Sequence, residues 1–112
     1  MNLSSADNGD FQIVTVNEPR IDAAVAIKFK DQMRETTSSG AAHVILDMTQ
    51  VEFVDSSGLG AIVAAMKQLG NTARLDLSGL SPNVDKVFRL TRMDSVFTIY
   101  KTLDDARAVY AV

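Results

Sequence analysis

Cysteine and tryptophan are absent from the 112-residue sequence, which also has one histidine and only two prolines. The lack of cysteine excludes disulfides and thiolate metal sites, and it is compatible with a reducing compartment. Basic residues are fewer than acidic ones, 11 against 14, and the net charge is −3. This charge gives no electrostatic reason to bind nucleic acid or an anionic membrane surface. We therefore expect neither nucleic acid nor a membrane among the partners.

Long apolar segments are also missing. The longest nearly apolar run, residues 59–66, is too short to span a bilayer. The first ten residues lack the basic region and apolar stretch of a signal peptide, so we expect a cytoplasmic location. The chain length predicts a single domain over residues 1–112. Within it, residues 1–10 are expected to be either flexible or a short edge strand that ends at the Asn8-Gly9 turn.

Strand and helix patterns alternate along most of the chain. β-Branched or alternating residues predict strands at residues 11–16, 44–48, within 73–79 and at 96–100. Apolar residues at helical spacing predict helices at residues 23–36, 82–90 and 103–110. A further helix is predicted to begin after Asp55 or Ser56, to bury residues between 59 and 69, and to stop at Gly70. Strands separated by helices need crossover connections and therefore a largely parallel sheet. The predicted fold is α/β, with a mostly parallel sheet of four to five strands and about four helices.

The most informative stretch joins the strand at 44–48 to the second helix. Its centre is Asp55-Ser56-Ser57-Gly58-Leu59-Gly60, and either Asp55 or Ser56 can cap the first turn of the helix. A hydroxyl group at this position is exposed and close to the positive end of the helix dipole. Gly58 and Gly60 are interpreted as points of close packing between helix and sheet. A dinucleotide fingerprint is excluded because Val63 stands where its third glycine should be.

Enzymatic sites have little support in the sequence. A serine hydrolase needs a base near its nucleophile, but His43 is predicted at the opposite end of its strand from the Ser56 loop, as a partly exposed residue. Neither a Gly-x-Ser-x-Gly elbow nor a phosphate-binding loop occurs. Scattered carboxylates are interpreted as solvent-exposed, namely those of Asp76, Asp85, Asp104 and Asp105. We therefore expect no enzymatic activity, no cofactor and no metal site.

The run from Leu46 to Gly60, LDMTQVEFVDSSGLG, closely resembles the signature of STAS domains. This is the family of sulfate-transporter and anti-sigma-factor-antagonist domains, and the resemblance is to its free-standing bacterial antagonists. Residues 81–90 resemble the third helix of the family, and residues 96–106 resemble its last strand and closing helix. The resemblance implies that Ser56, the first serine after the aspartate, is phosphorylated by a partner kinase.

The same resemblance implies two partners. The unphosphorylated chain would bind an anti-sigma factor that is also a serine kinase, with an ATP-binding domain of the histidine-kinase-like type. Phosphorylation at Ser56 would release this partner, and a metal-dependent serine phosphatase would restore binding. ATP and magnesium would belong to the kinase. The alternative is a scaffold or sensor subunit of a signalling or transport complex that is not switched, although the intact Asp55-Ser56-Ser57-Gly58 argues against it.

The partner-binding surface implied by the resemblance is formed by Asp22, Asp55, Ser56, Ser57, Gly58 and Leu59. Asp55 has two open interpretations, as a helix cap or as a residue that positions Ser56 for the kinase. Asp22 is either the N-cap of the first helix or part of the partner surface. The sequence departs from the family at Glu18-Pro19-Arg20-Ile21 and at Arg92-Met93, where turns containing glycine are common.

Overall fold

Seven strands and four α-helices occur within residues 1–110, the part of the chain that the computed structural model describes. The strands are β1 (Leu3–Asn8), β2 (Phe11–Val16), β3 (Arg20–Ile21), β4 (His43–Asp47), β5 (Phe53–Val54), β6 (Arg74–Ser78) and β7 (Ile99–Tyr100). The helices are α1 (Ala26–Thr36), α2 (Ser56–Leu69), α3 (Pro82–Leu90) and α4 (Leu103–Tyr110). A short 3-10 helix, Met93–Ser95, follows α3.

The five-stranded main sheet has the order β1-β2-β4-β6-β7. β1 pairs antiparallel with β2 through a turn at Gly9, and the other neighbours are parallel. Residues 3–8 are therefore an edge strand. The sequence-based prediction of an α/β fold with a mostly parallel sheet and about four helices is confirmed. A separate parallel pair, β3 with β5, was not predicted because each strand has only two residues.

The main sheet separates two buried layers. Alternate residues of its strands point to opposite faces, and Val14, Leu46 and Leu77 lie on the face that joins the main core. That core includes Phe29 of α1 and Ile62 of α2, both fully buried. The other face is covered by α4, whose Tyr110 ring stacks on Phe11 with 5.7 Å between ring centroids. The helix also buries Ala106 completely.

Two predicted element boundaries are wrong. The strand predicted at 96–100 is limited to β7, because the backbone of residues 93–97 turns and Phe97 N–H donates to the Met93 carbonyl. Helix α1 begins at Ala26 and not at residue 23, and its N-cap residue, Val25, makes no side-chain cap. Asp22 is therefore not the N-cap of α1. Its carboxylate accepts from Ala24 N–H at 3.1 Å and caps a separate turn before the helix.

Asp76 is buried, which contradicts the prediction that it is solvent-exposed. It is 1% exposed and lies on the sheet face that α4 covers. Its carboxylate accepts from Arg74 Nε at 2.7 Å and from the Tyr110 hydroxyl at 2.5 Å. Burial, and then the hydrogen bond to Asp76, raise the pKa of Tyr110. The buried carboxylate thus holds the last turn of α4 against the sheet. Of the other three carboxylates, Asp104 and Asp105 are exposed, and partly exposed Asp85 pairs with Arg89.

Candidate functional site

The candidate site is the beginning of α2, which Asp55 caps. The backbone of Asp55 is extended, with φ −94° and ψ −176°, and the Asp55 Oδ1 atom accepts from Gly58 N–H at 2.8 Å. The second carboxylate oxygen, Oδ2, accepts from Ala23 N–H at 3.1 Å. These backbone donors, Gly58 first, lower the pKa of Asp55, although desolvation opposes them. Asp55 is therefore both the helix cap and the link between α2 and the turn before α1.

Ser56 occupies the first position of α2 and is exposed. Its hydroxyl group has no hydrogen-bond partner within residues 1–110, because Asp55 already provides the cap. Ser57, the next residue, is also exposed. The backbone N–H groups at the first two positions of a helix have no acceptor within the helix. The Ser56 hydroxyl is thus accessible and lies beside backbone donors that can bind an anion.

Gly58 places the first turn of α2 directly against β3. It is buried, and a Cβ atom built on it would lie 2.7 Å from the Ile21 carbonyl carbon and 3.2 Å from Ile21 Cγ2. Asp55 N–H also points to the Ile21 carbonyl oxygen, at 3.4 Å. Gly60 differs, because a Cβ atom there would meet nothing within 4 Å. The prediction of close packing between helix and strand is therefore confirmed for Gly58 and wrong for Gly60.

Two residues of the site had no role in the sequence-based prediction. Arg20 and Phe53 face each other in the β3–β5 pair, and the Arg20 Cζ atom lies 4.3 Å from the centroid of the Phe53 ring. Arg20 Nε donates to Asp22 Oδ2 at 3.2 Å. Sequence alone offers only a weak signal for this contact, since neither two-residue strand has a recognisable periodicity. The pairing brings a cation next to the Ser56 loop.

The predicted partner-binding residues do not all have the same exposure. Ser56 and Ser57 are exposed, whereas Asp22 and Asp55 are partly buried and bonded to the backbone. Leu59 packs partly against the core, and Gly58 is buried, so this glycine contributes its backbone only. The structure brings these residues together in one region, because Asp55 bonds the turn that Asp22 begins.

His43 lies elsewhere, at the beginning of β4, as predicted. It is partly buried, and its ring packs against that of Tyr110 with 4.5 Å between centroids. The Ser56 loop follows the opposite end of β4, so His43 cannot act as a base for Ser56. Within residues 1–110, no group of three or more histidine, aspartate or glutamate side chains has the arrangement of a metal site. No helix in the same range combines the length and hydropathy required to cross a bilayer.

Comparison with known proteins identifies the family. The sequence profile of the STAS domain matches residues 2–106. The chain belongs to the STAS domain family. An anti-sigma-B factor antagonist of Listeria monocytogenes is 30% identical to this STAS domain over 98 residues, which are 87% of this chain and 84% of the relative.

Solved structures share the fold of this STAS domain. The crystal structure of an anti-sigma factor antagonist from Mycobacterium paratuberculosis superimposes with a TM-score of 0.85 at 25% identity, over 96% of this chain and 92% of the other. Bacillus SpoIIAA, solved in its phosphorylated form, superimposes with a TM-score of 0.70 at 19% identity, over 97% of this chain and 99% of the other. The Listeria and Mycobacterium relatives, and SpoIIAA in its unphosphorylated form, are named anti-sigma factor antagonists.

Proposed function

We propose that this STAS domain is a cytoplasmic anti-sigma factor antagonist controlled by phosphorylation at Ser56. With Ser56 unmodified, it binds an anti-sigma factor that is also a serine kinase with a histidine-kinase-like ATP-binding domain. Phosphorylation by that kinase releases it, and a metal-dependent serine phosphatase restores binding. The observation that carries this proposal is the exposed Ser56 hydroxyl at the first position of α2, with no intramolecular partner within residues 1–110. The names of the relatives support the role of antagonist.

The beginning of α2 can accommodate a phosphate without unfolding. A phosphoserine adds about −1.5 to −2 charges at neutral pH. Unpaired N–H groups and the helix dipole favour such an anion, by about 0.3–1 kcal/mol at an exposed site. The neighbouring Asp55 carboxylate accepts from the Gly58 and Ala23 N–H groups, and the Ser57 N–H group also helps to lower its pKa, so the Ser56 N–H group is the donor that remains for a phosphate. We therefore expect the fold to be the same in both states.

Phosphorylation should lower the affinity for the anti-sigma factor. If Ser56 lies at the centre of the interface, the phosphate must lose its water beside the facing surface of the anti-sigma factor. A buried charge without a partner costs about 3–5 kcal/mol, and each 1.4 kcal/mol is about tenfold in affinity. The dissociation constant would therefore rise by roughly two to three orders of magnitude or more. One covalent change at the surface thus acts as an on/off switch for binding.

The chemistry belongs to the partners and not to this STAS domain. The kinase supplies ATP and magnesium, and transfers the γ-phosphoryl group to the Ser56 oxygen. The phosphatase supplies its own metal and hydrolyses the ester. The contribution of this chain is to present one hydroxyl group on a rigid helix end that Asp55 and Gly58 hold in place.

The proposal is tested with the cognate kinase, which is the anti-sigma factor that binds the unmodified domain. The purified STAS domain is incubated with that kinase and ATP, and mass spectrometry locates the phosphate. The dissociation constants of Ser56→Ala, Ser56→Asp and the phosphorylated protein are then measured by calorimetry. We expect Ser56→Ala to bind like the unmodified protein. Ser56→Asp should bind more weakly, and the phosphorylated protein should bind most weakly because its charge is larger.

Ser39→Asp is the matched control. Ser39 is exposed beyond the C-terminal end of α1, and its neighbours Ser38 and Gly40 lie beside the C-terminal end of α2, so the substitution adds the same charge at the opposite end of α2 from Ser56. We expect the Ser39→Asp variant to bind the kinase with the affinity of the unmodified protein. Phosphate on a residue other than Ser56, or equal affinities of Ser56→Ala and Ser56→Asp, would contradict the proposal. In that case the scaffold alternative would gain support.

A further inference from the structure

We propose that Arg20 determines specificity in the partner interface, by binding a carboxylate of the anti-sigma factor with the free edge of its guanidinium group. This inference rests on the proposed function, because it assumes that the surface around Ser56 binds that partner. Three observations support it. Arg20 stacks on the Phe53 ring, its side chain makes one hydrogen bond, to Asp22, and the other charged residues around it are acidic.

The guanidinium group of Arg20 is held in one orientation from two sides. Its Cζ atom lies 4.3 Å from the Phe53 ring centroid, and its Nε atom donates to Asp22 at 3.2 Å. The two strands that carry Arg20 and Phe53 are paired, so the backbone fixes their relative position. Both terminal NH₂ groups of Arg20 have no partner within the described residues 1–110. The side chain is 58% exposed, so these donors are available to another protein.

A guanidinium group with two free terminal donors matches a carboxylate in a bidentate arrangement. Stacking on an aromatic ring restricts the rotation of arginine in advance, and this reduces the entropy that binding would otherwise cost. Phe53 is itself 40% exposed, which is unusual for a phenylalanine in a soluble domain. An exposed aromatic ring that carries an oriented arginine is typical of the residues that dominate protein interfaces.

The surrounding charges explain why the contact would be selective. Residues 17–27 and 49–66 surround the site, and Arg20 is the only lysine or arginine within these ranges, which Lys28 and Lys67 follow directly. The same segments contain four acidic residues: Glu18, Asp22, Glu52 and Asp55. A partner carboxylate is therefore attracted at one position and repelled at its neighbours. An anti-sigma factor whose acidic residue lies in another place would be rejected, which is how selective interfaces discriminate.

The position of Arg20 relative to Ser56 is also rigid. Ile21, the next residue, offers its carbonyl oxygen to Asp55 N–H and leaves room only for a glycine at position 58. The charge of Arg20 also contributes to the lowered pKa of Asp55, so its field reaches the residue before the phosphorylation site. A partner that covers Ser56 therefore meets Arg20 in the same interface.

The test measures the affinity of the STAS domain for the kinase that phosphorylates Ser56. Arg20→Lys keeps the charge but loses the planar pair of donors, and Arg20→Glu reverses the charge. We expect the dissociation constant to rise by roughly 10-fold for Arg20→Lys and by roughly 100-fold for Arg20→Glu. Exposed ion pairs contribute little to stability, so the thermal midpoints of both variants should stay close to that of the unmodified protein.

Arg34→Glu is the matched control, because Arg34 is similarly exposed, at 67%, but lies in the last turn of α1. It should bind the kinase like the unmodified protein. Arg20→Glu should regain affinity when one acidic residue of the kinase is changed to arginine. Affinities of Arg20→Glu and Arg34→Glu that are equal within about twofold would overturn the inference.

The Ser56→Asp variant separates this failure from a failure of the proposed function. If Ser56→Asp releases the kinase in the same assay, the proposed function stands although this inference fails. If Ser56→Asp also binds tightly, the proposed function fails.

Discussion

Gly58 and Gly60 lie two residues apart in the first turns of α2. Replacing each by alanine should change the free energy of unfolding in opposite directions. At Gly58, a Cβ atom would lie 2.7 Å from the Ile21 carbonyl carbon, whereas ordinary contact begins at 3.4 Å. The Ile21 carbonyl oxygen would lie closer still, so helix and strand must separate by more than the 3.4 − 2.7 = 0.7 Å that the carbon alone requires. Overpacking of this kind costs about 1–3 kcal/mol, and here the obstacle is backbone that cannot rotate away. We expect Gly58→Ala to lose about 3 kcal/mol of unfolding free energy.

Gly60→Ala is the control for this prediction. Its Cβ atom would enter open space, so only the backbone entropy and helix propensity change. Alanine is favoured over glycine within a helix by about 0.5–1 kcal/mol. The unfolding free energies of both variants and of the unmodified domain are measured by urea denaturation at pH 7, with circular dichroism as the probe.

The result that would refute this reasoning is a Gly58→Ala variant as stable as Gly60→Ala. Such a result would mean that α2 does not approach β3 as closely as described. Because the same contact holds the Ser56 loop, Gly58→Ala should also slow phosphorylation of Ser56 at temperatures where the variant is folded. Gly60→Ala should be phosphorylated at the rate of the unmodified domain.

Three further predictions concern stability. Arg92 has a left-handed backbone, with φ 61°, directly after the C-cap of α3, so Arg92→Gly should raise the unfolding free energy by about 1 kcal/mol; Arg92→Ala should show no such gain. The pKa of Tyr110 is raised in the folded state above its ordinary value of 10.0, so the unfolded chain loses this proton first and stability should fall as pH rises above 10. Tyr110→Phe should be less stable at pH 7 because buried Asp76 loses a donor, and its pH titration of stability should lack that alkaline decline. The pKa of Asp55 is lowered, so its charge stabilises the fold above the ordinary value of 3.8, and this contribution is lost as pH falls below it. Asp55→Asn keeps one acceptor oxygen for Gly58 N–H but loses the second, which accepts from Ala23 N–H, so it should be less stable at pH 7. The difference from the unmodified domain should become smaller in acid, where the carboxyl group is protonated.

Local patterns were sufficient to predict the strands and helices that are long enough to show periodicity. The strands β2, β4 and β6 have continuous or alternating apolar residues, and Ser81-Pro82 begins α3 as its pattern predicts. The cap of α2 was predicted as Asp55 or Ser56 because a cap depends on neighbours in sequence, and Asp55 bonds Gly58 three residues away. The phosphorylation of Ser56 came from the resemblance to a family, and it stays a proposal.

Features that depend on distant residues could not be predicted. Asp22 fits the composition of an N-cap, but the N–H group of Ala23 is bonded to Asp55, 32 residues away, and the helix begins later. Asp76 alternates with apolar neighbours like an exposed residue. Only the packing of α4, which brings Tyr110 across the sheet, explains why it is buried. The contact between Arg20 and Phe53 likewise requires the pairing of two short strands that show no pattern.

The main-chain contacts beneath Ser56 have a consequence for how the sequence around this loop can diverge. The loop is held by the Ile21 carbonyl group, by the amides of Ala23 and Gly58, and by a single carboxylate. Outward-pointing side chains nearby therefore contribute little to holding the hydroxyl in place. Under the proposed function, a duplicated copy of the gene could exchange residues such as Arg20 and acquire a new kinase while the position of the Ser56 hydroxyl group is preserved.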